Sequence, residues 1–150
     1  MQVVAFFLTV ISTWYACDKV EIQTAQNVSY KEIDLRCSQL YPGSFVIRND
    51  RDYKGVFSDR LNHPNCNNYE LPEIDFTNHT LLGYYSGVAG CEEPSYVYSI
   101  TKQHDSYRVA IHIVQRGKCL RNNRILLWCL IPKIDADAMV HFQEHITIEE

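Results

Sequence analysis

Residues 125–131 read Ile-Leu-Leu-Trp-Cys-Leu-Ile, with no charged or amide side chain, and Pro132 follows them. A strand that is apolar on both faces has to be covered on each side. The run therefore predicts a central strand, ended by Pro132, which cannot donate to a sheet ladder. Around it the pattern has a period of two. Tyr96, Tyr98 and Ile100 alternate with Val97, Ser99 and Thr101, and Val109, Ile111 and Ile113 repeat the rhythm, so that His112 points away from the valine–isoleucine face. Arg116-Gly117-Lys118 reads as the turn that follows. Val140, Phe142, Ile146 and Ile148 form a last alternating strand.

Earlier in the chain, Phe45-Val46-Ile47 is a short strand candidate. Asn49 or Asp50 can cap a helix with Asp52 in its first turn; Tyr53, Val56, Phe57 and Leu61 then recur at helical spacing. Residues 81–85 lead into a Gly-rich stretch, 86–90, which reads as a turn. One helix followed by strands with short connections predicts an α+β, mainly antiparallel β domain built on a small sheet.

The N-terminus is of a different kind. No charge occurs in residues 1–16, and residues 3–11 are almost wholly apolar. A core of about nine apolar residues is too short for a bilayer span of about twenty but suits a signal peptide. No Lys or Arg precedes it, as a conventional signal would have. Polar chain starts at Cys17-Asp18-Lys19, and Trp14-Tyr15-Ala16-Cys17 has the form of a loose lipobox. The expectation is a signal over 1–16, lipid attachment at Cys17, a tether and irregular lead-in over 17–40, and a β-rich domain over 41–150. Two or three acyl chains, at about 0.8 kcal/mol per buried methylene, would hold such a domain at a membrane. The expected location is the cell envelope.

Cysteine usage agrees with export. Apart from Cys17 there are five, which two bridges and one leftover thiol can satisfy in about fifteen ways. Cys129 lies inside the apolar run, where a thiol behaves as a small hydrophobe, and is read as the unpaired one. No Cys-x-x-Cys is present. The net charge is −4 and basic residues are scattered, which argues against a nucleic-acid partner.

Candidate chemistry is sparse. His141-Phe142-Gln143-Glu144-His145 matches H-x-x-E-H, a zinc-protease signature that works only on a helix, where positions four apart are neighbours. The apolar residues here have a period of two, and on a strand the two histidines lie about 13 Å apart. Two outward-facing strand histidines are the better reading. Glu92-Glu93 reads as a solvated bend. Asn27-Val28-Ser29 and Asn78-His79-Thr80 are formal glycosylation sequons, set aside as chance given the lipobox. No cofactor is expected.

Phe45-Val46-Ile47-Arg48-Asn49 with the Tyr53 helix, Ile74-Asp75-Phe76, Leu81-Leu82-Gly83 and the Gly-rich stretch resemble PrcB-like domains, a family named for an accessory lipoprotein subunit of a bacterial surface protease complex. A subgroup of Gram-negative lipoproteins is similar also in Gly90-Cys91, Gly117, Cys119 and Trp128 ahead of Pro132-Lys133. This likeness implies the pairing Cys91–Cys119, which leaves Cys37–Cys66 as the second bridge. It implies no catalytic residues. In place of the family's Thr-Gly-Gly-Tyr turn the chain has Ser86-Gly87-Val88-Ala89-Gly90. The functional expectation is a non-enzymatic, membrane-anchored module that binds an envelope protein or protease. A protease inhibitor acting through Ser86, Gly87 and Gly90 is the alternative, and a zinc hydrolase using His141 and His145 comes third.

Overall fold

The computed structural model describes residues 25–35, 42–61, 66 and 69–149. The expected signal over 1–16, Cys17 and Cys37 lie outside them. Among these residues the elements follow in order: β1 Gln26–Asn27, β2 Lys31–Glu32, β3 Gly43–Ile47, α1 Asp50–Leu61, β4 His79–Ala89, β5 Ser95–Gln103, β6 Ser106–Arg116, β7 Asn122–Pro132 and β8 Met139–Glu149. Two four-stranded sheets form, one in the order β1-β5-β6-β8 and the other β2-β7-β4-β3. All pairs are antiparallel except β6–β8. The domain is thus α+β, mostly antiparallel, with one short helix.

Alternation decides what lies between the sheets. Ile125, Leu127, Cys129 and Ile131 of β7 face Val109, Ile111 and Ile113 of β6, with Leu82, Val88 and Ile100 beside them. The opposite face of β7 carries Leu126, Trp128 and Leu130, which join a second cluster under α1 with Leu81, Tyr53, Phe57 and Leu35. The seven-residue run is therefore covered on both sides, as its composition requires. Helix α1 starts where expected: Asp52 N–H donates to Asn49 Oδ1 at 2.9 Å, making Asn49 the N-cap. Tyr53 and Phe57, one turn apart, point into the cluster, and Phe57 lies 5.4 Å from the Trp128 ring.

Two strands can be parallel neighbours only through a crossover. Here β7 supplies it: the chain leaves β6, crosses to the other sheet as β7, and returns as β8 to pair Ser106↔Met139 through Arg116↔Glu149.

The structure corrects several expectations. Residues 25–35 are no free tether. They pass from the edge of one sheet (β1 on β5) to the edge of the other (β2 on β7), and Leu35 is fully buried. The stretch is irregular but belongs to the domain, because it closes one side of the sandwich. Residues 86–89 are not a turn: they continue β4, with Ser86↔Ile125, Gly87↔Arg124 and Val88↔Asn123. The reversal comes later, between Ala89 and Ser95. In β8, Val140 and Phe142 reach the core, but Ile146 and Ile148 are 39% and 54% exposed. Among the described residues, β3 pairs with β4 from Gly43↔Tyr85 to Ile47↔Leu81 and not beyond Tyr85.

Candidate functional site

Two exposed features stand out, and the fold puts them on different surfaces. The first is the connection from β6 to β7 at one end of the sandwich. Cys91–Cys119 is bridged. Cys91 N–H donates to Arg116 O at 2.8 Å and Gly90 N–H donates to Arg121 O at 3.0 Å. Buried Asn123 donates from Nδ2 to the carbonyls of Gly90 and Glu92, which ties the neighbouring turn to β7. Gly117 adopts φ 71°, and a Cβ there would collide with the Cys91 side chain. Between these braces sits Leu120, 97% exposed, flanked by exposed Lys118 and Arg121. Arg116 Nη1 lies 3.7 Å from Glu92 and its Nε 3.3 Å from Glu149, so the solvated acidic bend is paired with a surface cation.

Ser86, Gly87 and Gly90, the residues expected to form a binding loop, lie at this same end but as strand. Among the described residues, no strand pairs with 86–89 on the side away from β7. The braced connection that projects is residues 117–121. The sequence places a turn there, at Arg116-Gly117-Lys118, with an isolated Leu among basic residues just after it.

The second feature is the outer face of the β5-β6-β8 sheet. His141 and His145 both lie on strand β8, as their period-two setting predicts, and both are exposed. His141 pairs with Arg108, while His145 pairs directly with His112 of β6. The His112 and His145 ring centroids are 5.3 Å apart, and His112 Nε2 is 2.8 Å from Thr147 Oγ1. Beside them a shallow groove of about 310 Å³ is lined by Val97, Ser99, Ala110 and Gln143. Glu144, the would-be general base of H-x-x-E-H, is hydrogen-bonded by the Tyr84 hydroxyl, away from both histidines. The H-x-x-E-H residues are therefore not brought together, and among the described residues no group of three or more His, Cys, Asp or Glu side chains is placed to hold a metal.

The remaining cysteines divide clearly. Cys129 is a free, fully buried thiol, and burial pushes its pKa up to about 12. Cys66 is disulfide-bonded, and Cys37, its expected partner, lies outside the described residues. Among the described residues no helix is long and apolar enough to cross a membrane. Compared with family models, curated proteins and solved structures, the chain finds no match in any of the three.

Proposed function

We propose that this chain is a non-enzymatic, membrane-anchored envelope protein whose β domain binds another protein through its disulfide-braced end. The observation that carries the reading is Leu120: an almost completely exposed aliphatic side chain held on a connection fixed by a disulfide and backbone hydrogen bonds at both flanks. A rigid loop loses little conformational entropy on binding, so an apolar anchor presented this way contributes nearly its full burial energy to a complex. Gly117 N–H donates to Glu149 O, which ties the start of this connection to the end of β8, where Ile146 and Ile148 are also exposed. Lys118 and Arg121 give it a basic rim suited to an acidic partner surface. The likeness to PrcB-like domains points to an envelope protease or its complex as that partner. Lipid attachment at Cys17 would supply the anchor.

A second reading rests on the same loop. A protease inhibitor also needs a rigid, exposed segment that enters a cleft, and Leu120 between Lys118 and Arg121 is the segment that projects.

The test compares the chain with Leu120→Asp and Val97→Asp variants, each used to capture proteins from membranes. A partner retained by wild type and Val97→Asp but lost by Leu120→Asp supports the reading. Equal recovery by all three removes the braced end from consideration. In parallel, a protease panel separates the two readings: inhibition abolished by Leu120→Asp favours the inhibitor. Cys17→Ser should shift the protein from the membrane to the soluble fraction.

A further inference from the structure

We propose that His112 and His145 together form a surface site for a divalent transition-metal ion of the zinc and copper class. The site is independent of the braced end and does not rest on the reading above.

The argument begins with distance. An imidazole nitrogen binds Zn²⁺ at about 2.0–2.1 Å, which places the ion about 3.2 Å from the ring centre; two rings at a tetrahedral angle then have centres about 5.2 Å apart. The observed separation is 5.3 Å. The two residues are direct partners in the β6–β8 ladder, so the backbone already holds their Cα atoms in place. The His145 ring is left to adjust, and a terminal ring torsion is soft for histidine. Both rings are exposed, so binding pays little desolvation.

Thr147 adds a positioning contact. If its hydroxyl oxygen accepts from His112 Nε2–H, that imidazole keeps its lone pair on Nδ1 and its ring is fixed, the arrangement that outer-shell partners give to metal-ligating histidines. The direct ladder neighbours are uncharged: Val97 lies across from His112, Ala110 pairs with Gln143, and Val114 with Thr147. Among these described neighbours nothing cationic opposes the ion. His141 is different, because its own ladder partner is Arg108. The H-x-x-E-H pattern thus marks one correct ligand and the wrong companion.

With two imidazoles the coordination shell stays open. Water fills the remaining positions, and these face the groove beside Ala110 and Gln143. Imidazole ligands select zinc, copper and nickel over magnesium or calcium, which prefer oxygen.

The test titrates the purified chain with Zn²⁺ alone, and with Mg²⁺ for comparison, by calorimetry, while imidazole resonances are followed by NMR. One Zn²⁺ per chain is expected, with shifts confined to the His112 and His145 rings and none from Mg²⁺. His112→Gln and His145→Gln should each weaken binding more than about tenfold, while His141→Gln stays within about twofold. The proposal is overturned if wild type takes up no Zn²⁺ at millimolar concentration, if His141 shifts as strongly as His145, or if either of the first two variants keeps wild-type affinity. The wild-type NMR result decides the question even if a variant fails to fold.

Discussion

Gly83 pairs directly with Trp128 across β4 and β7, and a Cβ at that position would run into the indole ring. The ring lies over the glycine on the face covered by α1, with Phe45 5.8 Å and Phe57 5.4 Å from it. Adding one methyl group must displace the indole from the cluster it forms with Phe45 and Phe57. Gly83→Ala is expected to cost about 1–3 kcal/mol, the range for overpacking a filled core. Urea denaturation at unchanged m-value measures it, and a variant as stable as the wild type would mean that the indole moves freely. Residue-scale legibility was uneven for a physical reason. Cys129 was readable as a buried thiol because its neighbours on both sides are apolar. The outward parity of His112 and of His145 was readable too, from the valines and isoleucines flanking one and from Val140 and Phe142 ahead of the other. Their meeting was not, since it depends on the register of two strands separated in sequence by the whole of β7.

Among the elements, the β6–β7 connection owes its shape to a covalent tie and one left-handed residue. Cys91 and Cys119 are 28 positions apart, and loop-closure entropy for a bridge of that span corresponds to about 3.6 kcal/mol. Replacing both cysteines by serine should therefore lower stability by about 2–4 kcal/mol. Hydrogen exchange should rise first in residues 90–94 and 117–121, ahead of the central strand β7. Exchange that rises uniformly would show that the bridge supports the whole sandwich and not the loop. The strand β4 illustrates why this end was hard to foresee. Ser86, Gly87, Ala89 and Gly90 have turn-like local preferences, yet β7 offers a complete run of ladder partners out to Ala89↔Asn122. Pairing with a central strand outweighs weak local preference, since strand propensity is mostly a matter of neighbours. Helix α1 is the converse: Asn49, Asp52, Tyr53 and Phe57 carry its cap and its buried face within nine residues, so local sequence sufficed.

At the scale of the whole molecule, both sides of the sandwich are closed by tyrosines whose hydroxyls must stay protonated. On one side Tyr98, whose ring lies 4.6 Å from that of Tyr30 at a tilt of 33°, donates to Glu32 Oε1 at 3.0 Å and joins the β5 sheet to the segment that carries β2. On the other, Tyr84 of β4 donates to Glu144 of β8 and stacks on Phe142. Burial, followed by the hydrogen bond to Glu144, pushes Tyr84 up from 10.0 to about 12. Burial also carries Tyr53 to about 12 and moves Tyr98 strongly upward. Cys129 rises from 9.0 to about 12 by burial first and the nearby Glu32 second. Each of these groups keeps its proton longer in the folded chain than in the unfolded one. Above the unfolded values the folded state binds more protons, so the free energy of unfolding falls with rising pH. The contribution is complete below about pH 9 and is lost progressively up to about pH 12. The melting temperature should accordingly hold level to about pH 9 and then decline by several degrees per unit. Tyr84→Phe, which removes a titrating hydroxyl together with its bond to Glu144, should start lower and decline less steeply. A wild-type melting temperature unchanged at about pH 11, or a Tyr84→Phe curve parallel to it, would mean that the hydroxyls at the two sides do not hold the sheets together.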